Sequence, residues 1–90
     1  MRITFDPGKR DRTLAERGLD FARCGEVFLG PHATKVDDRT PYGERRYITV
    51  GCLDDRMVVV VWTERHGTRR IISLREANER EQARYGGSLP

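Results

Sequence analysis

The longest unbroken apolar stretch of the chain is "MVVVVW" at residues 57–62. Continuous valines without alternation predict a strand covered on both faces, and hence a central place in a sheet. The segments around it, "HATKVDD", "RRYITVGCL" and "TRRIISL", mix apolar and polar residues as half-buried strands do. The joints "DRTPYG", "DD" and "HG" are turn-like, which puts Asp54-Asp55 and His66-Gly67 at hairpin tips. Ahead of these strands, "RITF" reads as a short strand ending at Asp6-Pro7, where Asp caps a helix and Pro fits its first turn. That helix runs to about Arg17, with Gly18 as its stop, and carries only Leu14 and Ala15 on a narrow apolar stripe. Asp20 caps a second helix, in which Phe21, Cys24, Val27 and Phe28 recur at helical spacing before Gly30-Pro31 ends it. Ser73 and Glu76 have the capping-box spacing, which predicts a last helix starting near Leu74. Its body, "REANEREQARY", has few apolar residues beyond Ala77, Ala83 and Tyr85, so it is weakly anchored and open to a partner. The predicted order is β-α-α-β-β-β-β-α: an α+β fold with a small antiparallel sheet, two N-terminal helices and one C-terminal helix.

Ninety residues suit one domain, residues 1–90, with a single core. A mean hydropathy of −0.70 requires economical use of apolar positions, and a net charge of +3 excludes a histone-like polycation. Arg supplies 15 of the 17 basic residues, leaving Lys9 and Lys35. Arg presents a planar fork suited to phosphate, whereas Lys acts as a point charge. Because charge is spread almost evenly along the chain, an anion site has to be a local cluster. Cys24 and Cys52 lack zinc-ligand spacing and imply no disulfide framework; both read as buried thiols in a reducing compartment. The N-terminus has no apolar signal region and no stretch approaches a membrane span, so the expectation is a soluble, cytoplasmic protein.

The polar residues around the valine strand carry the candidate chemistry. Thr63, Glu64 and Arg65 follow it, Arg69 and Arg70 open the next strand, and Arg75 closes it. In an extended chain Arg69, Ile71, Ser73 and Arg75 share one face, and Arg70, Ile72 and Leu74 the other. A hairpin at His66-Gly67 brings Arg65 near Arg69 or Arg70, and such neighbours repel unless an anion bridges them. Two readings remain open here. The arginines solvate sheet edges and pair with Glu44, Glu64 or Glu76, or they grip a phosphodiester bidentately. For proton transfer, His66 has a suitable pKa range, and Glu44, Tyr42 and Tyr85 are further candidates. No covalent-catalysis spacing, glycine-rich phosphate loop or carboxylate cluster is evident, so neither cofactor nor metal is expected. Cleavage of RNA is feasible without a metal because the 2′-OH is a built-in nucleophile that needs only proton exchange and cations.

"FDPGK", "ERGLDF", "EVF", "YGERRYITVG", "VVVVWTER", "RRIIS" and "ANEREQARY", in that order and spacing, resemble the BrnT toxin family over about residues 3–85. The resemblance implies a RelE-like ribonuclease fold and a toxin of a type II toxin–antitoxin system that cleaves RNA and inhibits translation. It also implies a cognate DNA-binding antitoxin that neutralises the toxin by direct binding in a hetero-oligomeric complex. Operator DNA is then reached only through the antitoxin. Position by position, the family's Asp-x-x-Lys falls on Asp6 and Lys9, its acidic-then-Arg pair on Glu44 and Arg46, and its Thr-x-Arg on Thr63 and Arg65. Its Arg-Ile-Ile-Ser falls on Arg70 to Ser73, with Arg75 two positions on. The family's usual Lys-His-Gly is here Glu16-Arg17-Gly18, and its usual Ala is Leu74. The expected catalytic set is Lys9, Glu44, Arg65, Arg70 and Arg75, with Glu44 as proton acceptor and His66 or Tyr85 in reserve. Arg46, Arg69 and Arg17 are the expected further RNA contacts. The alternatives are a non-catalytic RNA- or protein-binding module, or an inactive homologue kept for operon autoregulation.

Overall fold

A computed structural model describes residues 1–39 and 43–87; Thr40, Pro41 and Tyr42, half of the expected "DRTPYG" turn, lie outside the described residues. The chain runs β1 (Arg2–Phe5), α1 (Pro7–Arg17), a 3-10 turn (Phe21–Arg23), α2 (Cys24–Leu29), β2 (His32–Asp37), β3 (Arg46–Leu53), β4 (Arg56–Arg65), β5 (Thr68–Glu76) and α3 (Glu79–Tyr85). Among the described residues the fold is α+β, with a five-stranded sheet in the order β1-β5-β4-β3-β2 and three α-helices. The sheet is mixed, which corrects the antiparallel expectation: β1 pairs parallel with β5. Hairpins join β2 to β5 as antiparallel neighbours, but β1 is followed by the helices, and such a crossover allows parallel pairing.

Local chemistry sets the helix ends. Asp6 accepts from the Lys9 backbone N–H at 2.9 Å, so the Asp-x-x-Lys spacing is that of an N-cap and its third helical residue. Gly18 ends α1 in the left-handed region at φ 68°, donating to the Leu14 carbonyl. Asp20 caps the 3-10 turn that leads into α2. The last helix begins later than the Ser73/Glu76 spacing indicated. Strand β5 continues to Glu76, and the capping box is formed by Asn78 and Glu81. A β-strand partner outcompetes a local cap here, because Leu74, Arg75 and Glu76 pair with Val60, Val59 and Val58.

The central strand β4 separates two unequal cores. On the α1/α2 side Val58, Val60 and Trp62 pack with Phe21, Cys24, Val27, Ile71 and Leu74. On the α3 side the buried cluster among the described residues is Val50, Val59 and Ala77, with Ile48, Met57 and Tyr85 at the margin. Ile71 and Leu74 belong to the same core although three residues apart, because the register shifts at Val61/Trp62. Ser73 pairs with Val61 and Ile71 with Trp62, leaving Ile72 as the extra residue of a bulge. Strict alternation therefore fails along β5. Cys24 is buried, and burial pushes its thiol up to about 12, whereas Cys52 is exposed, contrary to the expectation for both. Cys52 pairs with Met57 and sits on the face opposite Leu53, near the Asp54-Asp55 hairpin tip. No helix among the described residues is long and apolar enough to cross a membrane.

Candidate functional site

Alternation along the strands places successive rows of side chains on the α3 face of the sheet. Asp37, Arg46, Thr63 and Arg70 are register partners in one row. Lys35, Ile48, Val61 and Ser73 form the next, and Ala33, Val50, Val59 and Arg75 the one after. Two of these rows are covered incompletely, which leaves a cleft of about 730 Å³ between the sheet, β2 and α3. Its floor is aliphatic, made by Ile48, Val50, Val59 and Val61. Around that floor stand the cations Lys35, Arg39, Arg75, Arg80 and Arg84, against the carboxylates Asp37, Asp38 and Glu81, with Tyr85 on the helix wall. Val61 is only half-buried because it lines this cleft, which is why the valine strand is not covered equally on its two faces.

Three arginines of this surface are held in ion pairs. Arg39 donates from Nε and from its backbone N–H to Asp37 Oδ1 at 2.9 and 3.1 Å, and holds that carboxyl below its ordinary range. Arg75 donates from Nη1 and Nη2 to Glu81 Oε1 and Oε2 at 2.7 and 2.8 Å. The pair pulls the Glu81 carboxyl down to about 2, with help from the Asn78 N–H and from the charge of Lys35. Arg65 donates from Nε and Nη2 to Glu44 at 2.8 and 3.2 Å and holds that carboxyl below its ordinary range. The Arg46 Nε lies 3.9 Å from Glu44, is buried and has no hydrogen-bond partner among the described residues. Glu44 sits in a smaller hollow that shares Val36, Asp37 and Asp38 with the cleft, so the three arginine pairs belong to one continuous surface.

Of the expected site residues, Arg75 and Tyr85 line the cleft. Arg70 and Arg46 stand in the row at its end, and Arg65 and Glu44 border the neighbouring hollow. The other four lie elsewhere. Lys9 is on α1, and His66 is exposed at the β4–β5 turn with φ 51°. Arg17 donates to the Leu74 carbonyl at 3.0 Å, beyond the point where β1 ends opposite Ile71. Arg69 lies on the α1/α2 side, its guanidinium 3.9 Å from the Phe28 ring centre and 5.2 Å from that of Trp62. These positions suit Arg17 and Arg69 to holding the fold together.

Sequence reasoning missed Lys35, Arg39, Arg80, Glu81 and Arg84. The signal was present for three of them: Arg80 and Arg84 are four apart and so share one helical face, with Glu81 beside them. It was obscured by starting the helix five residues early. Lys35 falls opposite Ile48 once the β2–β3 register is known, and register depends on a turn that the pattern did not fix.

The model of a family described as "Ribonuclease toxin, BrnT, of type II toxin-antitoxin system" matches residues 5–81 of the 90. The match ends at Glu81, before Arg84 and Tyr85. A comparison with curated proteins gave no match.

Proposed function

The chain belongs to the BrnT family of type II toxin–antitoxin ribonuclease toxins, and from that membership we propose that RNA is cut in the cleft between α3 and the sheet. Its partner in the cell is an antitoxin. The observation that carries the assignment is the cleft's composition: an aliphatic floor that accepts a base, ringed by five cations among its lining residues. Open clefts that combine apolar surface with guanidinium groups suit single-stranded nucleic acid, whose bases and phosphates are both exposed. We assign the fold to the RelE-like ribonuclease type on the grounds of a sheet with helices against both faces, and treat residues 1–90 as one toxin domain acting in the cytoplasm.

The reaction is an intramolecular transesterification. The ribose 2′-oxygen attacks the adjacent phosphorus, its proton passing to a base, while the bond from phosphorus to the 5′-oxygen breaks and that oxygen is protonated. The products are a 2′,3′-cyclic phosphate and a 5′-hydroxyl. Arg75 stabilises the extra negative charge that develops on the phosphoryl oxygens. Arg65, Arg70 and Arg46 hold the flanking backbone along the adjoining rows. Tyr85 is assigned to proton transfer in preference to Glu44 because it stands on the cleft wall, whereas Glu44 lies in the neighbouring hollow with both carboxylate oxygens engaged by Arg65. Lys9 and His66 are assigned no direct part, because neither lines the cleft. The chemistry relies on guanidinium charge and the substrate's own 2′-OH, and we expect it to proceed in EDTA. The antitoxin binds the toxin directly, supplies the DNA-binding function of the complex, and has the exposed α1 and the thinly anchored α3 as docking surface.

Expression from a tight inducible promoter tests the assignment. We expect growth arrest by the wild-type chain, relief by the cognate antitoxin, and no arrest by Arg75→Ala at equal folded protein. Arrest by Arg75→Ala equal to that of the wild type would remove the cleft from the mechanism. A second reading is favoured by the three arginine ion pairs: a cleft that binds RNA without cutting it. Intact RNA in a shifted band would support that reading, and new 5′-hydroxyl ends would reject it.

A further inference from the structure

Both terminal nitrogens of Arg75 are already occupied, and by an anion. Glu81 presents two oxygens to them at 2.7 and 2.8 Å, the same fork that a phosphodiester presents to a guanidinium. The same carboxylate accepts from the Asn78 N–H at 2.9 Å, so its position is fixed by the start of α3. Arg75 Nη1 also donates to the Glu76 carbonyl at 3.3 Å. The pair lies in the cleft wall and stays accessible, with 42 % of the Arg75 and 24 % of the Glu81 side chain exposed. We propose that Glu81 is an internal competitor for the phosphate site on Arg75, so that RNA enters the cleft only by exchanging this carboxylate for one of its own phosphates. The proposal rests on the assignment of the cleft to RNA and adds to it a residue that sets affinity and selectivity.

Three consequences follow from the geometry. Arg75 reaches the cleft as half of a neutral pair, so by itself it attracts a distant anion weakly. A lone phosphate must displace Glu81 with no other gain. An RNA chain has the exposed Arg80 and the Arg46/Arg70 row to hold its neighbouring phosphates while the exchange occurs. The site thus selects oligonucleotides over mononucleotides and free phosphate. Because Glu81 also closes the capping box and α3 has no buried residue of its own, the exchange loosens the attachment of α3 to the sheet without unwinding its first turn. The carboxylate stays ionised throughout the neutral pH range, so the competition persists under cellular conditions.

The test is equilibrium binding of a fluorescent single-stranded oligoribonucleotide with 2′-O-methyl sugars, which binds but is not cut. Glu81→Gln keeps the side-chain acceptor that the capping box needs and removes the charge. We expect it to bind about fivefold more tightly than the wild type at low salt, the effect of about one unscreened near-surface charge contact. Glu79→Gln removes an exposed charge from the same helix without touching Arg75, and Asn78→Ala loosens the cap without freeing Arg75; both should bind within about twofold of the wild type. In an Arg75→Ala background the gain from Glu81→Gln should fall to the level of Glu79→Gln. Binding by Glu81→Gln equal to or weaker than the wild type, or an equal gain from Asn78→Ala, would overturn the competition while leaving the cleft assignment standing. Failure of the folded wild type to bind the oligonucleotide, or affinity unaffected by Arg75→Ala, would overturn both.

Discussion

Fifteen arginines in ninety residues are not fifteen phosphate ligands, and their surroundings sort them. Arg17 and Arg69 serve the fold, through a strand carbonyl and an aromatic stack. Arg75 and Arg65 are aimed into the α3 side and held there by Glu81 and Glu44. We expect Arg75→Ala to slow RNA cleavage by about a hundredfold, the usual scale for one transition-state cation. Its thermal stability should change little, since partly exposed ion pairs contribute up to about 1 kcal/mol. Arg65→Ala should instead raise KM severalfold with kcat nearly unchanged, because the role proposed for Arg65 is to bind backbone flanking the reacting phosphorus; steady-state kinetics on a labelled RNA separates the two patterns. Glu81 also predicts a pH dependence. Its carboxyl ionises at about 2 in the folded chain against an ordinary 4.5, so the stability it contributes is present above about 4.5 and is lost as pH falls towards 2. Thermal melts over that interval should show a shallower acid decline for Glu81→Gln than for the wild type. The bunching of arginines around Arg65 to Arg75 was readable from spacing alone. Which of them face the cleft was not, because a bulge at Ile72 moves Leu74 to the side of Ile71 and turns Arg75 towards α3.

At the scale of elements, the turns and caps carry most of what the sequence specified. Both two-residue hairpins were readable from "DD" and "HG", and each has φ above zero at both positions: 51° and 61° at Asp54-Asp55, 51° and 75° at His66-Gly67. That is the type I′ geometry, which follows the twist of the paired strands and favours glycine at its second position. Asp55→Gly should therefore stabilise the protein by about 0.5–1 kcal/mol in urea melts, Asp54 being kept for its pair with Arg23. Gly51 poses the opposite demand. A Cβ there would stand 2.6 Å from Val27 Cγ1 and 3.2 Å from His32 Cβ, so α2 reaches β3 only because that position is bare. Gly51→Ala should cost about 1–3 kcal/mol, read as a lower urea midpoint with unchanged slope. The late start of α3 was harder to foresee. "SLRE" and "NERE" both fit a capping box, and pairing of Leu74, Arg75 and Glu76 with the valine strand decides between them.

Across the whole molecule, one sheet serves two purposes on its two faces. The α1/α2 side holds the larger core, and with it the stability needed to keep a thinly covered face on the other side. That second face is left open by the short α3, which has no buried residue, and the opening exposes aliphatic floor and guanidinium groups together. The parallel pairing of β1 was not visible in the pattern, since four residues carry no sign of strand direction. The α+β class and the strand-by-strand segmentation were visible, because alternation and turn residues are local properties. The most direct measurement is end-group analysis of single-stranded RNA incubated in EDTA with the purified chain and with folded Arg75→Ala. We expect 2′,3′-cyclic phosphate and 5′-hydroxyl ends from the wild type and about a hundredfold slower release from the variant. Intact RNA with a folded wild-type chain, or equal cleavage by Arg75→Ala, would contradict cleavage in this cleft.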